Sequence, residues 1–414
     1  MELRNWGGNY AYRARALHRP TALAELQRLV VSCGRLRVIG SRHSFSAISD
    51  GDELVTLEDL PGEVSVDRDA QTVSLPSHLR YGELAERLAA EGMALANLAS
   101  LPHISVAGAV ATATHGSGVT NGNLATAVAA LELVRSDGEI ARLRRGEPDF
   151  DGVVVALGAL GVVTRVVLDV QPAYEISQHV YEGLAWDALF EHFDAIVSDA
   201  YSVSVFVRWG ERTDQVWLKR RATDPPAPEE LFGAAPAPAD RHPIAGLDPA
   251  SCTPQLGRPG PWMDRLPHFR MGFTPSSGQE IQSEYHLPRE RAVEAIAALR
   301  GIGPTFQKLV QVSELRTVAA DMLWLSPQHG RDSVAIHFTW APDQAAVERA
   351  LAEIEGILMP LGARPHWGKL FLAGAADFAG CYERLADFSA LLQRFDPHGK
   401  FRNQWVEAHL LGAD

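Results

Sequence analysis

The chain has 414 residues, 46% of them hydrophobic and 21% charged, so it is too long for one ordinary core, and its composition excludes collagen-like, coiled-coil and largely disordered proteins. Acidic residues outnumber basic ones by 51 to 38, and the resulting net charge of −13 disfavours nucleic acid or an anionic membrane surface as a partner. The three cysteines, Cys33, Cys252 and Cys381, lie far apart in the sequence, which argues against a disulfide framework or a zinc site.

The first part of the chain combines short helices with short strands. Leu23, Leu26 and Val30 recur on one helical face, and a second helix is closed by Gly92. The predicted helices are residues 21–32 and 81–91, and the predicted strands are residues 36–39, 53–57, 63–66, 72–75, 126–134, 139–143 and 162–170. This order is typical of an α+β domain and differs from a strict βαβ repeat.

From about residue 171 the pattern changes. Eleven of the 25 prolines fall between Pro225 and Pro267, which predicts a long irregular surface loop. Two strand–helix–strand units follow, over residues 280–286, 288–300 and 309–317 and then over residues 333–340, 343–359 and 366–370. Helices on one face of an antiparallel sheet are the economical packing for such units.

Two segments rich in small residues are candidates for contact with a ligand. Residues 40–46 directly follow a predicted strand, where small side chains let backbone N–H groups approach an anion. Residues 101–118 are too small for a core strand, and their threonines and glycines disfavour a helix. That run suits backbone lying against a flat ligand. A solvated polar loop and a tightly packed glycine loop are the structural alternatives.

Other nucleotide and metal motifs are missing from the sequence. Gly158 and Gly161 lack the first glycine pair of G-x-G-x-x-G and precede a strand instead of a helix. Neither G-x-x-x-x-G-K-[ST] nor H-E-x-x-H occurs. A Rossmann site, a P-loop and a zinc protease site are therefore disfavoured.

Polar side chains in the later units could face a common cavity. Glu314 and Arg316 point to the same side of their predicted strand. His366 and Lys369 follow the last predicted helix, and Thr339 lies on the strand between. A solvated salt bridge on the strand and a surface cation near the helix end are the alternatives.

Five segments together resemble a known family. In chain order they are residues 40–45, 114–118, 158–164, 366–369 and 396–397. Their combination is similar to FAD proteins of the vanillyl-alcohol-oxidase type, specifically the bacterial alditol (xylitol) oxidases and sugar-lactone oxidoreductases. The resemblance implies an FAD-binding domain of two α+β lobes over residues 1–172. It also implies a substrate (cap) domain over residues 173–377, with an antiparallel sheet covered by helices on one face, and a C-terminal segment, residues 378–414, that returns to the FAD-binding domain.

The resemblance also implies where FAD is held. In such proteins the histidine of the first loop is joined covalently to the flavin, and that role carries over to His43. Relatives with two covalent links use a cysteine in the second segment, which here has none, so a single link is implied. The residues implied to contact the cofactor are Gly40, Ser41, Arg42, His43, Ser44, Phe45, Ser105, Gly108, Thr112, Thr114, Gly116, Ser117, Val162 and His366.

The alditol oxidases carry a Glu-x-Arg pair, a threonine and a lysine around the polyol. The matching residues are Glu314, Arg316, Thr339 and Lys369, with Ser105 touching both flavin and substrate. The implied reaction oxidises the terminal primary alcohol of xylitol or sorbitol to the aldose and reduces O2 to hydrogen peroxide. Arg316 and Lys369 would stabilise the developing alkoxide, and Glu314 would orient them. Lys369 or His366 would act as the base.

Two other functions remain open at this point. A sugar-1,4-lactone oxidase or dehydrogenase has the same fold, and a non-catalytic carbohydrate-binding protein would use its glycine loops only structurally. The polar N-terminus is unlike a signal peptide, and the sequence has no apolar run of about eighteen residues. We therefore expect a cytoplasmic monomer without a bound metal and without a nucleic-acid or membrane partner.

Overall fold

A small and a large antiparallel sheet organise the part of the chain that the structure describes, residues 2–273 and 279–412 of a computed structural model. The small sheet has five strands and lies before residue 170, and the large one has nine strands drawn from residues 175–365. Helices pack against both sheets. The predicted α+β class is confirmed.

The N-terminal part contains two separate sheets, in keeping with two lobes. The first has three parallel strands, Ala16–His18, Glu53–Val55 and Arg37–Val38. The second is the five-stranded antiparallel sheet of Ser65–Asp67, Thr72–Pro76, Val162–Asp169, Val128–Val134 and Ile140–Arg144. Buried and half-buried residues alternate along Val162–Asp169, so one face of this sheet lies on the core.

The nine-stranded sheet is covered by helices on one face, as predicted. Its strands in spatial order are Ala235–Pro236, Glu175–Glu182, Gln215–Arg221, Ser202–Val207, Val310–Val318, Ser333–Trp340, Ile281–Pro288 and Arg364–Pro365, with Gly260–Pro261 beside the second of them. Phe338 and Trp340 contact the ring of Phe306 in the helix Ala292–Phe306. The helix Gln344–Leu358 packs beside that helix. The opposite face of the sheet borders a cavity.

The pairing of three neighbouring strands determines which side chains share the cavity face. Glu284 lies opposite His337, and His337 lies opposite Glu314 on the next strand. Because alternate residues of a strand point to the same side, Arg316 and Thr339 fall on this face too. Backbone pairing therefore gathers a row of ionisable groups at one place.

The C-terminal segment packs against the first lobe. Its longer helix is Leu385–Phe395, followed by Gln404–Val406. The side-chain amide of Asn403 donates hydrogen bonds to the carbonyls of Ala47 and Asp50. These contacts agree with a segment that returns to the FAD-binding domain, while the boundaries at residues 172 and 377 stay a prediction.

The other helices are short. They are Leu23–Ser32, Tyr81–Ala90, Val106–Ala111, Phe150–Val154, Trp186–Glu191, Phe193–Val197 and Ala375–Phe378, and a two-stranded pair joins Met93–Ala94 to Gln171–Pro172. Among residues 2–273 and 279–412, no helix has both the length and the apolar character needed to cross a membrane.

The small-residue run is partly helical, contrary to the prediction. Val106–Ala111 forms a short helix that follows Ser105. Val106, Ala109 and Val110 are buried in the main core. Tertiary packing thus supplies the stability that the intrinsic helix propensity of this segment lacks.

The predicted strand over residues 366–370 is a turn. The ladder with the neighbouring strand is formed by Arg364–Pro365. Beyond it the backbone N–H groups of His366 and Leu370 still donate to carbonyls of that strand, while the N–H of Lys369 donates to the carbonyl of His366 and closes the turn. The turn places Trp367 in a buried aromatic cluster, while His366 and Lys369 line the cavity.

The proline-rich stretch has no long helix or strand, but the prediction that it is a surface loop is wrong for much of it. Trp262 and Cys252 are 1% and 2% exposed, and Ile244 packs in an apolar cluster with Phe206. Pro243 and Ile244 also line the cavity. The prolines limit its part in the sheet to the two-residue strands Ala235–Pro236 and Gly260–Pro261, and apolar side chains between them are buried against the sheet.

Arg37 connects the first lobe to two distant segments. Its buried guanidinium donates to the carbonyls of Gly158 and Leu157 at 3.0 and 2.8 Å and to that of Phe401 at 2.6 Å. It also donates to the carbonyl of Ile48. Four buried carbonyl groups therefore depend on one side chain.

Replacing Arg37 with Met should destabilise the protein by about 3 kcal/mol or more, because the carbonyls lose a charged donor and stay buried. Thermal melting followed by circular dichroism should show a fall of at least about 5 °C. Arg35→Met is the matched control, since Arg35 is half exposed and its ion pair with Glu407 spans 3.4 Å; its melting temperature should change by less than about 1 °C. Equal shifts in the two variants would contradict this account.

Candidate active site

A long cavity lies between the small-residue segments and the open face of the nine-stranded sheet. Leu57, Gly158 and Val163 border one end of it. Glu314 and Lys369 border the other end. The loops predicted to contact a ligand and the side chains predicted to act on a substrate therefore surround one space.

The two small-residue segments are joined by a reciprocal pair of hydrogen bonds. The backbone N–H of Ser105 donates to Ser41 Oγ at 2.9 Å, and the backbone N–H of Ser41 donates to Ser105 Oγ at 3.4 Å. A Cβ on Gly40 would lie 2.3 Å from Ser105 Oγ, and one on Gly108 would lie 2.8 Å from it. The hydroxyl group of Ser105 therefore leaves no room for a side chain at either glycine.

His43 projects from the first loop with both ring nitrogens unused. Nδ1 and Nε2 are buried and have no hydrogen-bond partner among residues 2–273 and 279–412, and the ring stacks on Trp6 with centroids 5.3 Å apart. Burial, the larger cause, and the nearby His103 lower the pKa of His43 to about 4, so the imidazole is neutral at pH 7. The preceding residue, Arg42, adopts a left-handed φ of 59°, a strained turn of the kind found at ligand sites.

Most residues predicted to contact the cofactor line this cavity. They are Gly40, Ser41, Arg42, His43, Ser44, Phe45, Ser105, Gly108, Thr112, Thr114 and His366. The remaining three do not. A Cβ on Gly116 would meet Asn97 Oδ1 at 2.3 Å, buried Ser117 donates to the carbonyl of Val203, and Val162 is buried in a separate apolar cluster. These three pack the segments that frame the cavity, and their contact with the cofactor stays a prediction.

A fully buried carboxylate contacts both predicted cations. Arg316 Nη2 donates to Glu284 Oε1 at 2.7 Å, and Lys369 Nζ lies 2.6 Å from Glu284 Oε2. His115 Nε2 donates to Glu284 Oε1 at 2.9 Å. Burial alone would raise the pKa of Glu284, but Lys369, His115 and Arg316 hold it well below its ordinary value. Glu284 is therefore an anion.

Glu314 has partners other than the predicted ones. Its Oε1 accepts a hydrogen bond of 2.8 Å from His268 Nε2, and its Oε2 lies 3.5 Å from Arg316 Nε. Glu284, and not Glu314, makes the ion pair with Lys369, which corrects the expectation that Glu314 orients both cations. Lys219 Nζ lies 2.9 Å from His268 Nδ1, so Nδ1 accepts and Nε2 carries the proton given to Glu314.

Burial and the partners of these groups set their charges. Burial opposes ionisation of Glu314, but Arg316 and His268 hold its pKa far below the ordinary value. Burial lowers the pKa of His268 to about 4 and that of Lys219 to about 7. At neutral pH His268 is thus a neutral donor, and Glu314 is an anion whose second oxygen can accept from a ligand.

Lys369 and Thr339 are linked through a histidine. Lys369 Nζ donates to His337 Nδ1 at 2.7 Å, and His337 Nε2 lies 3.1 Å from Thr339 Oγ1. Burial lowers the pKa of Lys369, with Glu284 opposing that effect. Burial, followed by the Lys369 charge, lowers the pKa of His337 to about 4.

His366 lines the cavity but is a weak candidate for the base. Its Nδ1 accepts a hydrogen bond of 3.1 Å from the backbone N–H of Gly368. Burial and the Lys369 charge hold the pKa of His366 well below its ordinary value. The protonated form of this imidazole is therefore strongly disfavoured.

The sequence-based site omitted several residues of this cluster. They are Glu284, His337, His268, Lys219 and, except as part of a motif, His115. Two of them had a usable signal. Glu284 lies on a predicted strand, and His337 precedes Thr339 by two residues and so shares its face. His268 and Lys219 had none, because their approach depends on the path of the proline-rich stretch.

The cluster does not resemble a metal centre electrostatically. Ligand-type atoms of His115, Glu284 and His286 come within 4.8 Å of one another. However, Arg316 and Lys369 already occupy the two oxygens of Glu284. A third positive charge here would meet repulsion from both.

Comparison with known proteins identifies the family. Residues 14–144 match the family described as FAD binding domain, and residues 275–409 match that described as D-arabinono-1,4-lactone oxidase. An alditol oxidase from a Streptomyces species is 48% identical over 413 residues, which cover 99% of each chain. This chain belongs to the alditol oxidase family. The predicted family is thereby confirmed.

Two more distant proteins are similar to this chain over nearly its whole length, one in sequence and the other in fold. The L-gulono-1,4-lactone dehydrogenase of Mycobacterium tuberculosis is 28% identical over 97% of both chains. A crystal structure of cholesterol oxidase from Brevibacterium sterolicum has a TM-score of 0.77 at 14% identity and covers 98% of this chain and 96% of its own. The second likeness concerns the fold alone.

FAD is the cofactor of this family member, and the cavity suits it. The unpartnered nitrogens of His43 can form a bond to a ligand at no expense to an existing hydrogen bond. Gly40, Gly108 and the small side chains around them leave room for a flat ring system. The predicted cofactor is confirmed, and its individual contacts are proposals developed in the next subsection.

Replacing Gly40 with Ala should reduce the amount of bound flavin, because the new Cβ would press on Ser105 Oγ. Flavin absorbance per mole of purified protein measures this effect. Combining Gly40→Ala with Ser105→Gly removes the contacting atoms and should restore part of the flavin content. If the double variant were no better than Gly40→Ala alone, crowding at Ser105 would not be the cause.

Proposed function

We propose that this chain is an FAD-dependent alditol oxidase, which oxidises the terminal primary alcohol of polyols such as xylitol or sorbitol to the aldose and reduces O2 to hydrogen peroxide. The observation that carries this proposal is the gathering of Glu314, Arg316, Thr339 and Lys369 around the cavity that also contains His43. The family membership supports it independently.

A polyol would be bound by complementary hydrogen-bonding groups. Glu314 presents an acceptor oxygen to the hydroxyl groups, and Arg316 and Lys369 present donors to the oxygen that becomes a carbonyl. Thr339 and Ser105 would position the carbon chain of the polyol from the two sides of the cavity. Several hydroxyl partners in a row favour an open-chain polyol over an apolar alcohol.

Oxidation requires removal of the hydroxyl proton and of a hydride from the same carbon. Bound FAD supplies the two-electron acceptor and passes the electrons to O2. Lys369 is our candidate for the proton acceptor, since it lines the cavity and burial lowers the pKa of its ammonium from the ordinary value, which favours the neutral amine that a base requires. Arg316 keeps its charge, because Glu314 and Glu284 raise its pKa against the effect of burial.

We propose that FAD is attached through a single covalent bond to His43. Neither ring nitrogen has a hydrogen bond within the part of the chain that the structure describes, and the imidazole is neutral and therefore nucleophilic. No cysteine occurs in residues 101–118, so a second bond from that segment is not part of the proposal.

We also propose that the enzyme works as a cytoplasmic monomer. All the groups invoked above come from one chain, so a second copy is not needed to complete the site. The three cysteines are unpaired, as is usual for proteins of a reducing compartment.

The competing candidate is oxidation of a sugar-1,4-lactone. It is favoured by the match of residues 275–409 to a family described by a lactone oxidase activity. The polyol is preferred because the alditol oxidase relative is 48% identical and the lactone dehydrogenase relative 28%. A non-catalytic carbohydrate-binding role is set aside because the family consists of oxidoreductases.

Purified holoenzyme should release hydrogen peroxide when supplied with xylitol or sorbitol in air. A coupled peroxidase assay across polyols and 1,4-lactones measures this, with an artificial electron acceptor run in parallel. Faster turnover of 1,4-lactones than of polyols would make a lactone, and not a polyol, the substrate of the enzyme. Turnover with the artificial acceptor but not with O2 would make the protein a dehydrogenase.

Acid precipitation of the wild-type protein should give a yellow pellet, because the flavin is covalently held. His43→Ala should give a colourless pellet, since no side chain remains to form the bond. Trp6→Phe retains a stacking ring beside residue 43 and serves as the matched control, with a yellow pellet. A colourless wild-type pellet would rule out the covalent link.

A further inference from the structure

We propose that Glu284 is a positioning residue, whose buried carboxylate fixes Lys369 and Arg316 and stabilises the ammonium formed when Lys369 takes the hydroxyl proton. The proposal rests on the proposed function and extends it to a residue outside the substrate-contacting set. Its role is comparable to that of the carboxylate that holds and stabilises the histidine in a Ser-His-Asp triad.

The position of Glu284 is determined by the sheet. It faces His337 across one ladder, and His337 faces Glu314 across the next. Its side chain is 0% exposed. A charge so placed is expensive to bury unless it is paired. Both oxygens of Glu284 in fact lie beside basic groups, the Arg316 guanidinium at 2.7 Å and Lys369 Nζ, which carries a positive charge whenever it is protonated, at 2.6 Å.

The partners of Lys369 suit a proton acceptor. Within the described residues its Nζ contacts two acceptors, Glu284 Oε2 and His337 Nδ1, at 2.6 and 2.7 Å. A neutral amine has two N–H groups and one lone pair, so the hydrogen bond that Nζ donates to His337 and its close contact with Glu284 leave the lone pair for the hydroxyl proton of a substrate in the cavity. The ammonium formed afterwards still has both acceptors and one further N–H.

His337 extends the same arrangement to the substrate side. Because Nδ1 accepts from Lys369, the ring proton lies on Nε2 and is donated to Thr339 Oγ1. The hydroxyl proton of Thr339 is then free to point into the cavity. The position of Lys369 therefore also decides the direction in which Thr339 donates.

The reaction step is balanced with these groups. The O–H bond of the terminal alcohol breaks and an N–H bond forms at Lys369 Nζ. The C–H bond breaks with its electron pair, for which FAD, when bound, would be the two-electron acceptor, and the carbon–oxygen bond becomes a carbonyl. A positive charge thus appears on Nζ, 2.6 Å from the negative charge of Glu284, so the attraction is greater in the transition state than before it.

The other ionisable groups around Glu284 do not provide a second negative charge next to Lys369. His115, His286, His337 and His366 face it from four segments, and burial lowers the pKa of each of them. Glu314 pairs with Arg316 and is held by His268. Glu284 is the anion within ion-pair distance of Lys369 among the described residues.

Glu284→Gln tests the proposal, because it keeps the shape and removes the charge. The expected kcat with the best polyol is at least about 100-fold lower. The acid limb of the pH profile should move to lower pH, because Lys369 loses an attractive charge and its pKa falls further. Glu284→Asp keeps the charge but shortens the reach, so its rate should fall while its acid limb stays closer to that of the wild type.

Glu355→Gln is the matched control. It removes a buried carboxylate that accepts from Tyr285 and from the backbone N–H of Leu372 on the helix-covered side of the same sheet. Its acid limb should not move. A Glu284→Gln profile that loses rate without moving the limb would reduce Glu284 to a structural role and overturn the proposal. If Glu284→Gln does not fold, Glu284→Asp takes its place in the test. An acid limb of Glu284→Asp displaced from that of the wild type by more than about one pH unit would then overturn the proposal.

A crystal structure of Glu284→Gln gives a readout that does not depend on turnover. Lys369 Nζ should move away from its place between residue 284 and His337, and Arg316 should turn towards Glu314. Lys369 and Arg316 in unchanged positions would refute the positioning role. If the wild type oxidises no polyol, the proposed function fails, and the crystal comparison still decides whether Glu284 holds the two cations.

Discussion

The register of three neighbouring strands is the constraint on which the site depends. Glu284, His337 and Glu314 stand in one row because the ladders of Ile281–Pro288, Ser333–Trp340 and Val310–Val318 pair at these residues. A slip of one residue would turn a whole strand's set of polar groups towards the helices and bring apolar side chains to the cavity. The aromatic packing of Phe338 and Trp340 on the helix side opposes such a slip.

Burial of charge is the second constraint, and it explains why the site contains more ionisable residues than the chemistry uses. Arg316 is shared by two carboxylates, and Glu314 is in turn held by His268 and, through it, by Lys219. Replacing such networks with apolar residues often leaves stability unchanged or improved. Here the network instead fixes donor and acceptor directions towards one space, which is what an enzyme for a hydroxyl-rich substrate requires.

Local signals in the sequence were sufficient for the class of fold and for much of the site. Periodicity located the helices near Leu23–Ser32 and Gln344–Leu358, and alternation located the strand pair that contains Glu314 and Thr339. The family resemblance supplied His43 and Lys369. The contacts that the sequence did not predict are long-range ones. The pairing of Glu284 with Lys369 depends on the register of the sheet and on the turn after Pro365, and no local sequence pattern predicts either. Gly116 and Ser117 are small residues that pack closely against Asn97 and Val203, and a sequence pattern cannot separate such packing from contact with a ligand, because both select small residues.

Residues near position 400 contact the segment on either side of the first small-residue loop, which borders the cavity. Phe401 and Asn403 hold Arg37 and the segment around Ala47 by hydrogen bonds. These hydrogen bonds join residues 364 and 356 positions apart in the sequence, so this wall of the pocket forms only after the entropy of closing a very long loop has been overcome.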